Sequence, residues 1–427
     1  MPVMSKNTRL NTPDPLLAPP QSMPASPLLA DEEPPLRPSL LEVNPTKRRM
    51  ENLDTLRIVC MLAIIITHIT EPYIDRASNY NSLYRGIFSL NVACRFGVPC
   101  FLMISFFIYW HQLYDKGRSW GELLARRLKR LIPAFLVWSL IYVVLHRLLK
   151  RTTGDAHSAT PWIYDMGLTN WRFWREIVLL GRAETHLYYL PMVITCLLLI
   201  PLLKLLWKPA AVSWTFLIGM LTAWVVVYYG SCIYGPDTAI GQPLNQAVSL
   251  WQNIVAIPLL VFPVVGMMSA GQRSWREWIA RTPTTLWIGI LLFGFALHVV
   301  ETLWLLHYAD QAATKSMQEH RWLIALAGLK PGRFVSAVAV FVLFLRSPLM
   351  RDPFPKVSHH AFGLHFMHPV IILGLSFIET RLFSADVWDR QAWIVPMLAV
   401  NFVITFFITF GLCFLIGRFK RLEFLVV

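Results

Sequence analysis

Arg57 and His68 are the two side chains whose types and spacing best suit chemistry inside a membrane. They lie eleven positions apart in one apolar stretch, NLDTLRIVCMLAIIITHIT. Eleven residues make about three helical turns, so both side chains lie on one helix face, ~16 Å apart along its axis. Ionisable groups are costly in a bilayer. The pair therefore predicts a site that holds a charged donor near one membrane surface and transfers protons deeper in the membrane.

Two carboxylates extend this helix face. Asp54 lies one turn before Arg57 and Glu71 lies one turn after His68, so all four side chains fall within an arc of ~100°. We predict that Glu71 orients His68 as a base and that Asp54 pairs with Arg57. Two alternatives stay open. Long side chains near a helix start reach the membrane surface at little cost, and a buried histidine is often only a hydrogen-bonded packing residue.

The second apolar stretch, SLNVACRFGVPCFLMISFFIYW, carries another cation. Asn91 and Arg95 lie four residues apart and share a helix face. Arg95 is near the middle of the stretch, so it needs a partner or an aqueous cavity. We assign it to the catalytic group, as a cation that stabilises a developing oxyanion. Gly97 and Pro99 are predicted to loosen the helix beside it.

Further polar residues are candidates for the acceptor side of the site. They are Ser105, His186, Glu301 and His368. For Ser105, a hydrogen bond to its own helix is the favoured alternative. The histidines do not form an HExxH pattern or a compact group with carboxylates, so we predict no metal site. A GxSxG motif is also absent, which argues against a serine hydrolase.

The chain as a whole predicts an all-α, polytopic transmembrane bundle. It has 427 residues, of which 55% are hydrophobic and 15% are charged, and its apolar stretches repeatedly approach the ~20 residues that a membrane helix needs. The first fifty residues contain no apolar run, so we expect the first membrane helix to act as the insertion signal. Ten spans are predicted, near residues 54–74, 87–110, 131–149, 187–206, 212–230, 253–270, 284–307, 333–346, 358–378 and 393–416.

The formal charge of +14 follows the membrane topology. With ten spans and an inside N-terminus, the inside segments hold 20 Lys and Arg residues and the outside loops hold 14, six of them in one loop at 147–182. This bias predicts that both termini are cytoplasmic. The basic charge therefore indicates a lipid bilayer as the partner, and no nucleic acid.

Three regions flank or interrupt the membrane domain, which we place at 51–420. Residues 1–50 contain eleven prolines and are predicted to be a disordered cytoplasmic tail. Residues 421–427 are predicted to be a second cytoplasmic tail. A long outside loop at 150–186 is rich in aromatic residues and carboxylates. Aromatic residues together with carboxylates are suited to binding a sugar, although an interfacial aromatic belt is the commoner explanation for aromatic residues near a membrane.

A basic amphipathic helix is predicted near 119–130, between the second and third spans. Ser119 and Glu122 fit a capping box that would start it. The helix has two explanations: attraction to anionic lipid, or a cradle for the phosphates of a donor, because Arg side chains match phosphate geometry. The candidates for donor binding are Arg126, Arg127, Lys129 and Arg130.

At these residues the sequence resembles acyltransferase family 3, a group of integral-membrane O-acyltransferases, over most of residues 51–420. NLDTLRIVCMLAIIITH is similar to the family's Leu-Asp-x-Leu-Arg opening, with ten residues between its Arg and its His. The other similar segments are CRFGVPCFLMIS, ARRLKRLIP, HLYYLPMVITCLLLIPLL and FGLHFMHP. One departure is that Ser105 is followed by Phe106, where the family commonly has glycine. The missing glycine removes backbone room near the acceptor path.

The resemblance implies that His68 is the catalytic histidine, that Arg57 is its partner, and that Arg127 and Arg130 lie near the donor. It implies transfer of an acyl group, most commonly acetyl, from cytoplasmic acyl-CoA to a hydroxyl of a surface saccharide or its lipid-linked precursor. Acetyl-CoA would be a co-substrate, with no permanently bound cofactor. The expected location is a bacterial inner membrane, with a polysaccharide synthesis complex as a further partner. Succinyl transfer, a proton-coupled transporter or exporter, and a scaffold subunit are the alternatives.

Overall fold

The regular structure of the protein is helical wherever the computed structural model describes it. This finding confirms the all-α prediction. The tail at 1–50 lies outside the described residues. The described ranges are 51–76, 82–114, 116–153, 161–206, 210–234, 238–254, 256–310, 330–346, 355–382 and 391–426.

The described residues of the first half of the chain form nine α-helices. They are α1 Glu51–Arg76, α2 Ser82–Cys94, α3 Gly97–Tyr114, α4 Trp120–Thr153, α5 Trp171–Trp174, α6 Tyr189–Leu198, α7 Ile200–Leu203, α8 Ala210–Trp224 and α9 Gly230–Tyr234. Residues 161–165 and 204–206 are short 3₁₀ turns, and residues 175–179 and 225–229 are π-helical.

The second half continues the same architecture. Its helices are α10 Gly241–Asn253, α11 Ala256–Leu259, α12 Val261–Gly271, α13 Arg273–Arg281, α14 Thr284–Asp310, α15 Pro331–Arg346, α16 Pro355–His359, α17 Ala361–Leu382 and α18 Gln391–Gly417. A last 3₁₀ turn covers Glu423–Leu425.

Seven helical stretches in the described residues are long and apolar enough to cross a membrane, so the predicted count of ten spans is not confirmed. Two of the other three predictions fall on shorter apolar helices, Tyr189–Leu198 and Ile257–Gly271, and the third falls on the 16-residue helix α15. Proline explains two of the short lengths: Pro201 follows the break between α6 and α7, and Pro258 lies in α11, just before α12. The seven are Asn52–Ile74, Arg85–Tyr114, Trp120–Arg151, Ala210–Tyr234, Thr284–His307, Ala361–Glu379 and Trp393–Gly417.

Two segments predicted as separate elements are connected to long helices in the structure. The basic helix near 119–130 is the first part of α4, and the Glu122 amide donates to the Ser119 hydroxyl at its start, as the capping box predicted. The tail at 421–427 is described up to Val426. This residue is buried, and its carbonyl accepts a hydrogen bond from the Gly363 amide at 3.2 Å. The end of the chain therefore packs against the start of α17.

Small residues let the helices around the site approach closely. A side chain added at Gly266 of α12 would place its Cβ 2.4 Å from the Met103 carbonyl oxygen of α3. A Cβ added at Gly332 of α15 would lie 2.3 Å from the backbone nitrogen of His298 in α14. Such close crossings are typical of membrane helices, whose association depends on backbone proximity. They bring α12 against α3 and α15 against α14, and α3 and α15 in turn pack against α1.

The second predicted span is two helices. Arg95 and Phe96 form a turn between α2 and α3, and α3 begins at Gly97, where the sequence predicted a loosened helix. A Cβ at Gly97 would lie 2.9 Å from the Cys60 carbonyl of α1, so this glycine is needed for close packing. Phe106, in place of the family's glycine, is fully buried within an uninterrupted α3.

Candidate functional site

α1 places His68 and Glu71 in contact, as the three-residue spacing predicted. The Nδ1 atom of His68 lies 3.1 Å from Oε2 of Glu71. An ionised carboxylate only accepts hydrogen bonds, so this contact favours the tautomer of His68 that carries its proton on Nδ1. The His68 side chain is 18% exposed and that of Glu71 is 41% exposed. The imidazole is therefore oriented by its own helix and remains partly accessible.

Three further histidines surround His68. We call His68, His186, His365 and His368 the histidine cluster. The His68 ring centroid lies 5.3 Å from that of His368 and 6.4 Å from that of His186. His186 in turn lies 5.2 Å from His365 and 5.6 Å from His368. The predicted acceptor-side residues His186 and His368, although distant in the sequence, therefore lie next to the predicted base His68.

The histidine cluster contains buried nitrogens that have no hydrogen-bond partner among the described residues. They are both ring nitrogens of His186, both ring nitrogens of His365 and the Nε2 atom of His368, whose Nδ1 donates to the Leu364 carbonyl at 2.8 Å. His186 is only 2% exposed, and burial together with neighbouring imidazoles holds its pKa well below the usual value. Buried nitrogens of this kind can hydrogen-bond to a substrate hydroxyl or carbonyl.

The segment before α6 carries His186 into the cluster. Gly181 adopts a positive φ of 67°, and a Cβ there would lie 2.7 Å from the Leu187 carbonyl oxygen, so the turn requires glycine. Beside it, Oε2 of Glu184 lies 2.7 Å from Nε2 of His146 in α4. This buried contact fixes the segment against α4. The His186 ring then packs edge-on against Tyr142, with 5.3 Å between the ring centroids.

Arg95 lies beside α1 through Asn91. Its Nε donates to Oδ1 of Asn91 at 2.9 Å. The Asn91 amide donates in turn to the Thr67 carbonyl at 2.9 Å and to the Thr70 hydroxyl at 2.8 Å. These contacts connect the cation to the turn of α1 that carries His68. The four-residue spacing of Asn91 and Arg95 predicted the first contact, and the sequence carried no signal for the others.

Glu301 lies away from the histidine cluster. Its Oε2 accepts a hydrogen bond from the Gly332 amide at 2.9 Å, at the start of α15. The same helix start brings Arg333 to the α2–α3 turn, where its Nε donates to the Arg95 carbonyl at 3.1 Å. Glu301 therefore belongs to a second polar group, which includes Arg95.

Three arginines gather near the start of α1; we call Arg57, Arg127 and Arg130 the Arg57 cluster. Arg57 forms an ion pair with Asp54, as predicted, and lies within electrostatic range of Arg130. The Arg127 guanidinium is 4.9 Å from the centre of the Tyr109 ring. Arg57 is 31% exposed, so the cluster is accessible to a soluble ligand.

The two other predicted donor residues are not brought into the Arg57 cluster. Arg126, Lys129 and Arg130 are exposed, whereas Arg127 is half-buried. Successive helix residues point ~100° apart, so a continuous basic run cannot face one ligand. Arg130 is within electrostatic range of both Arg127 and Arg57, and the donor roles of Arg126 and Lys129 stay predictions.

Tyr189 lies between the Arg57 cluster and the histidine cluster. It shares a hydrogen bond with Ser105 and is within electrostatic range of Arg57. Its ring centroid is 5.4 Å from that of His365. This chain of contacts places the predicted residue Ser105 between the donor end and the base. Tyr189 was missed from the sequence because an aromatic residue in an apolar run gives no distinctive signal.

Metal binding has no support in the described part of the chain. No group of three or more His, Cys, Asp or Glu side chains there has the geometry to hold a metal ion. The four rings of the histidine cluster pack against one another in edge-on and tilted contacts.

Comparison with known proteins agrees with this geometry. The family model described as an acyltransferase domain matches residues 50–418, which include α1 to α18 and every candidate site residue. No curated protein and no solved structure matches the chain. With its apolar helices, its oriented histidine and this match over nearly its whole length, the chain belongs to acyltransferase family 3 and is a membrane acyltransferase.

Proposed function

We propose that this protein transfers an acyl group, most simply acetyl, from acyl-CoA to a hydroxyl of a saccharide, with His68 as the general base. The observation that carries the proposal is the His68–Glu71 contact of 3.1 Å. This contact favours the tautomer in which Nδ1 holds the proton, and that tautomer leaves Nε2 free to accept one. A positioned imidazole whose pKa is near neutrality is the commonest group for this task.

The proposed step is balanced without a cofactor. Nε2 of His68 takes the proton of the acceptor hydroxyl as its oxygen attacks the thioester carbon. The tetrahedral intermediate collapses, the C–S bond breaks, and the proton passes from Nε2 to the departing CoA thiolate. Glu71 stabilises the imidazolium between these transfers. Arg95 is the proposed stabiliser of the oxyanion, because a fixed cation near developing charge lowers the barrier.

The Arg57 cluster suits the donor. Coenzyme A carries several phosphate charges, and one arginine guanidinium can donate two parallel hydrogen bonds to two phosphate oxygens. Arg57 and His68 lie ~16 Å apart along α1. If the phosphates bind at the Arg57 cluster, the part of coenzyme A between its phosphates and its thioester must span this distance to reach His68. The predicted topology puts the Arg57 cluster on the cytoplasmic side, where acyl-CoA is found.

The test is an acyl-transfer assay with purified protein, labelled acetyl-CoA or succinyl-CoA, and a panel of saccharides. Wild type is expected to release CoA and label a saccharide. His68→Ala should lower the rate by about 10²–10⁴-fold, the usual contribution of a general base. His359→Ala is a matched control at an exposed histidine. A wild-type protein that consumes neither thioester would refute the proposal and favour transport.

The biological acceptor is proposed to be a surface polysaccharide or its lipid-linked precursor, in a bacterial inner membrane. NMR of the polysaccharide from a deletion strain and its parent tests this part. Loss of O-acyl signals, restored by wild type and not by His68→Ala, is the expected result. Identical spectra from deletion and parent strains would remove saccharide acylation at the cell surface as the function.

A further inference from the structure

Three rings of the histidine cluster, one of them the proposed base, form a triangle; we call His68, His186 and His368 the imidazole triangle. The ring centroids are 5.3 Å apart for His68 and His368, 6.4 Å for His68 and His186, and 5.6 Å for His186 and His368. The rings come from α1, from the segment before α6 and from α17. The fold therefore gathers six ring nitrogens at one place, and the proposed function uses only the two of His68.

His368 contributes a buried hydrogen-bond acceptor. Its Nδ1 donates to the Leu364 carbonyl at 2.8 Å, and this contact favours the tautomer with the proton on Nδ1, because a carbonyl oxygen only accepts. The Nε2 atom then carries a lone pair. The residue is 0% exposed, and its Nε2 has no hydrogen-bond partner in the described part of the chain. Buried polar atoms are normally paired, so this nitrogen indicates a donor supplied by a ligand.

His186 contributes both a donor and an acceptor. It is 2% exposed, and neither of its ring nitrogens has a hydrogen-bond partner among the residues that the structure describes. Burial holds its pKa well below the usual value, so the ring is neutral. A neutral imidazole has one N–H and one lone pair in either tautomer. The imidazole triangle therefore contains an unpaired N–H close to the unpaired lone pair of His368.

A hydroxyl group satisfies this combination, because it donates one hydrogen bond and accepts others. Its oxygen accepts from the N–H of His186, and its proton is donated to Nε2 of His368. Two hydrogen bonds of ~2.8 Å that meet at one oxygen suit two rings at this separation. A carboxylate would only accept and would leave Nε2 of His368 unpaired, and an ammonium group would only donate. The ligand chemistry that fits is therefore an alcohol.

We propose that the acceptor is a vicinal diol of a sugar ring: one hydroxyl gives its proton to His68, and the hydroxyl on the adjacent carbon binds between His186 and His368. This inference rests on the proposed function and names the acceptor class of the same site. His68 is 18% exposed, so an acceptor can reach it, and the other two rings lie beside it. His186 and His368 are then residues that determine acceptor specificity.

The second partner of each ring explains why only one hydroxyl of the diol reacts. His68 is held by the Glu71 carboxylate, whose negative charge stabilises an imidazolium. His368 is held by a neutral backbone carbonyl, which stabilises the positive charge less. The proton is therefore transferred to His68, and His368 only accepts a hydrogen bond. The acyl group is expected on the hydroxyl at His68, with its neighbour left free.

The first part of the test compares acceptors. Wild type is assayed with labelled acetyl-CoA and methyl glycosides of common hexoses, and NMR identifies the hydroxyl that is acylated on the best acceptor. Two kinds of deoxy analogue of this acceptor are then compared. Loss of an adjacent hydroxyl leaves two buried nitrogens unpaired and should lower kcat/KM ~10–100-fold for one of the neighbours. Loss of a remote hydroxyl is the matched control and should have little effect.

Two results of this comparison would overturn the proposal. One is equal kcat/KM for the parent sugar and for every analogue that lacks an adjacent hydroxyl, which would mean that the two rings bind only water. The other is acylation at a position whose neighbouring carbons carry no hydroxyl.

The second part of the test combines variants with the same acceptors. His368→Phe keeps the ring and removes the acceptor nitrogen, so it should lower kcat/KM ~10-fold for the parent sugar and hardly at all for the adjacent-deoxy analogue. His368→Gln places an acceptor oxygen near the same position and should retain more activity toward the parent sugar. His359→Phe makes the same change at an exposed histidine and should match wild type with both acceptors.

A purely structural role would give a different pattern. An equal fall with both acceptors in His368→Phe, or no fall with either, would overturn the proposal. Should His368→Phe not fold, His186→Phe removes the other partner of the same hydroxyl, and the same comparison decides.

Failure of the inference differs from failure of the proposed function. If wild type acylates the parent sugar and its adjacent-deoxy analogues equally well, the proposed function holds and the diol inference alone is wrong. If wild type consumes neither acetyl-CoA nor succinyl-CoA with any sugar, the proposed function is wrong and the diol inference falls with it.

Discussion

Glu71→Gln tests whether the His68–Glu71 contact orients the base. The variant keeps the shape and an acceptor oxygen, at a separation of 3.1 Å from Nδ1, and removes only the charge. Hydrogen bonds to charged groups contribute about 1.5–3 kcal/mol, and neutral ones about half as much. Because Glu71 is 41% exposed, the lower end applies. A loss of ~1 kcal/mol as the imidazolium forms lowers kcat ~5-fold.

The assay measures steady-state transfer over ranges of donor and acceptor. The expected pattern is a lower kcat with the KM for acyl-CoA unchanged, since the lost interaction strengthens only when His68 is protonated. Glu379→Gln is the matched control. The buried Glu379 carboxylate accepts a hydrogen bond from the Asn401 amide at 2.6 Å and belongs to neither the histidine cluster nor the Arg57 cluster. An equal fall in both variants, or a kcat of wild-type size in Glu71→Gln, would refute the reasoning.

Three further predictions follow from contacts described above. Arg127→Ala and Arg130→Ala should each raise the KM for acyl-CoA ~10-fold through loss of a charge-assisted bond; an unchanged donor titration would remove them from the site. His186→Phe keeps the ring packing but loses both nitrogens, so the acceptor KM should rise about threefold to tenfold, and an unaltered acceptor titration would contradict this role. Gly266→Ala drives a Cβ into the α3 backbone and should destabilise by ~1–3 kcal/mol in thermal unfolding, whereas Gly289→Ala, in open space, should not; equal melting temperatures would show that α12 shifts freely.

Local spacing predicted the contacts within a helix. The pairs Asp54–Arg57 and His68–Glu71 are three residues apart, and the structure places each pair in contact. These predictions succeed because helical geometry alone determines which side chains are neighbours. The same geometry explains why the basic run on α4 does not face one way, with Arg127 half-buried beside the Tyr109 ring and its neighbours exposed.

Contacts between distant segments could not be predicted from the sequence. Nothing in it joins His186 to His68, because their meeting depends on the turn at Gly181 and on the packing of α17. The count of ten spans is not confirmed, because hydropathy does not register where proline shortens a helix, as at Pro201.

The helix α1 carries the guanidinium of Arg57 and the imidazole of His68 on a single rigid rod. Inserting one residue between them would rotate one group by ~100° relative to the other and lengthen the gap by ~1.5 Å. Seven inserted residues would restore the direction but add ~10.5 Å. This stretch of α1 therefore sets both the distance and the relative direction of the two groups. A donor whose phosphates and thioester are farther apart or closer together would require a different spacing of Arg57 and His68.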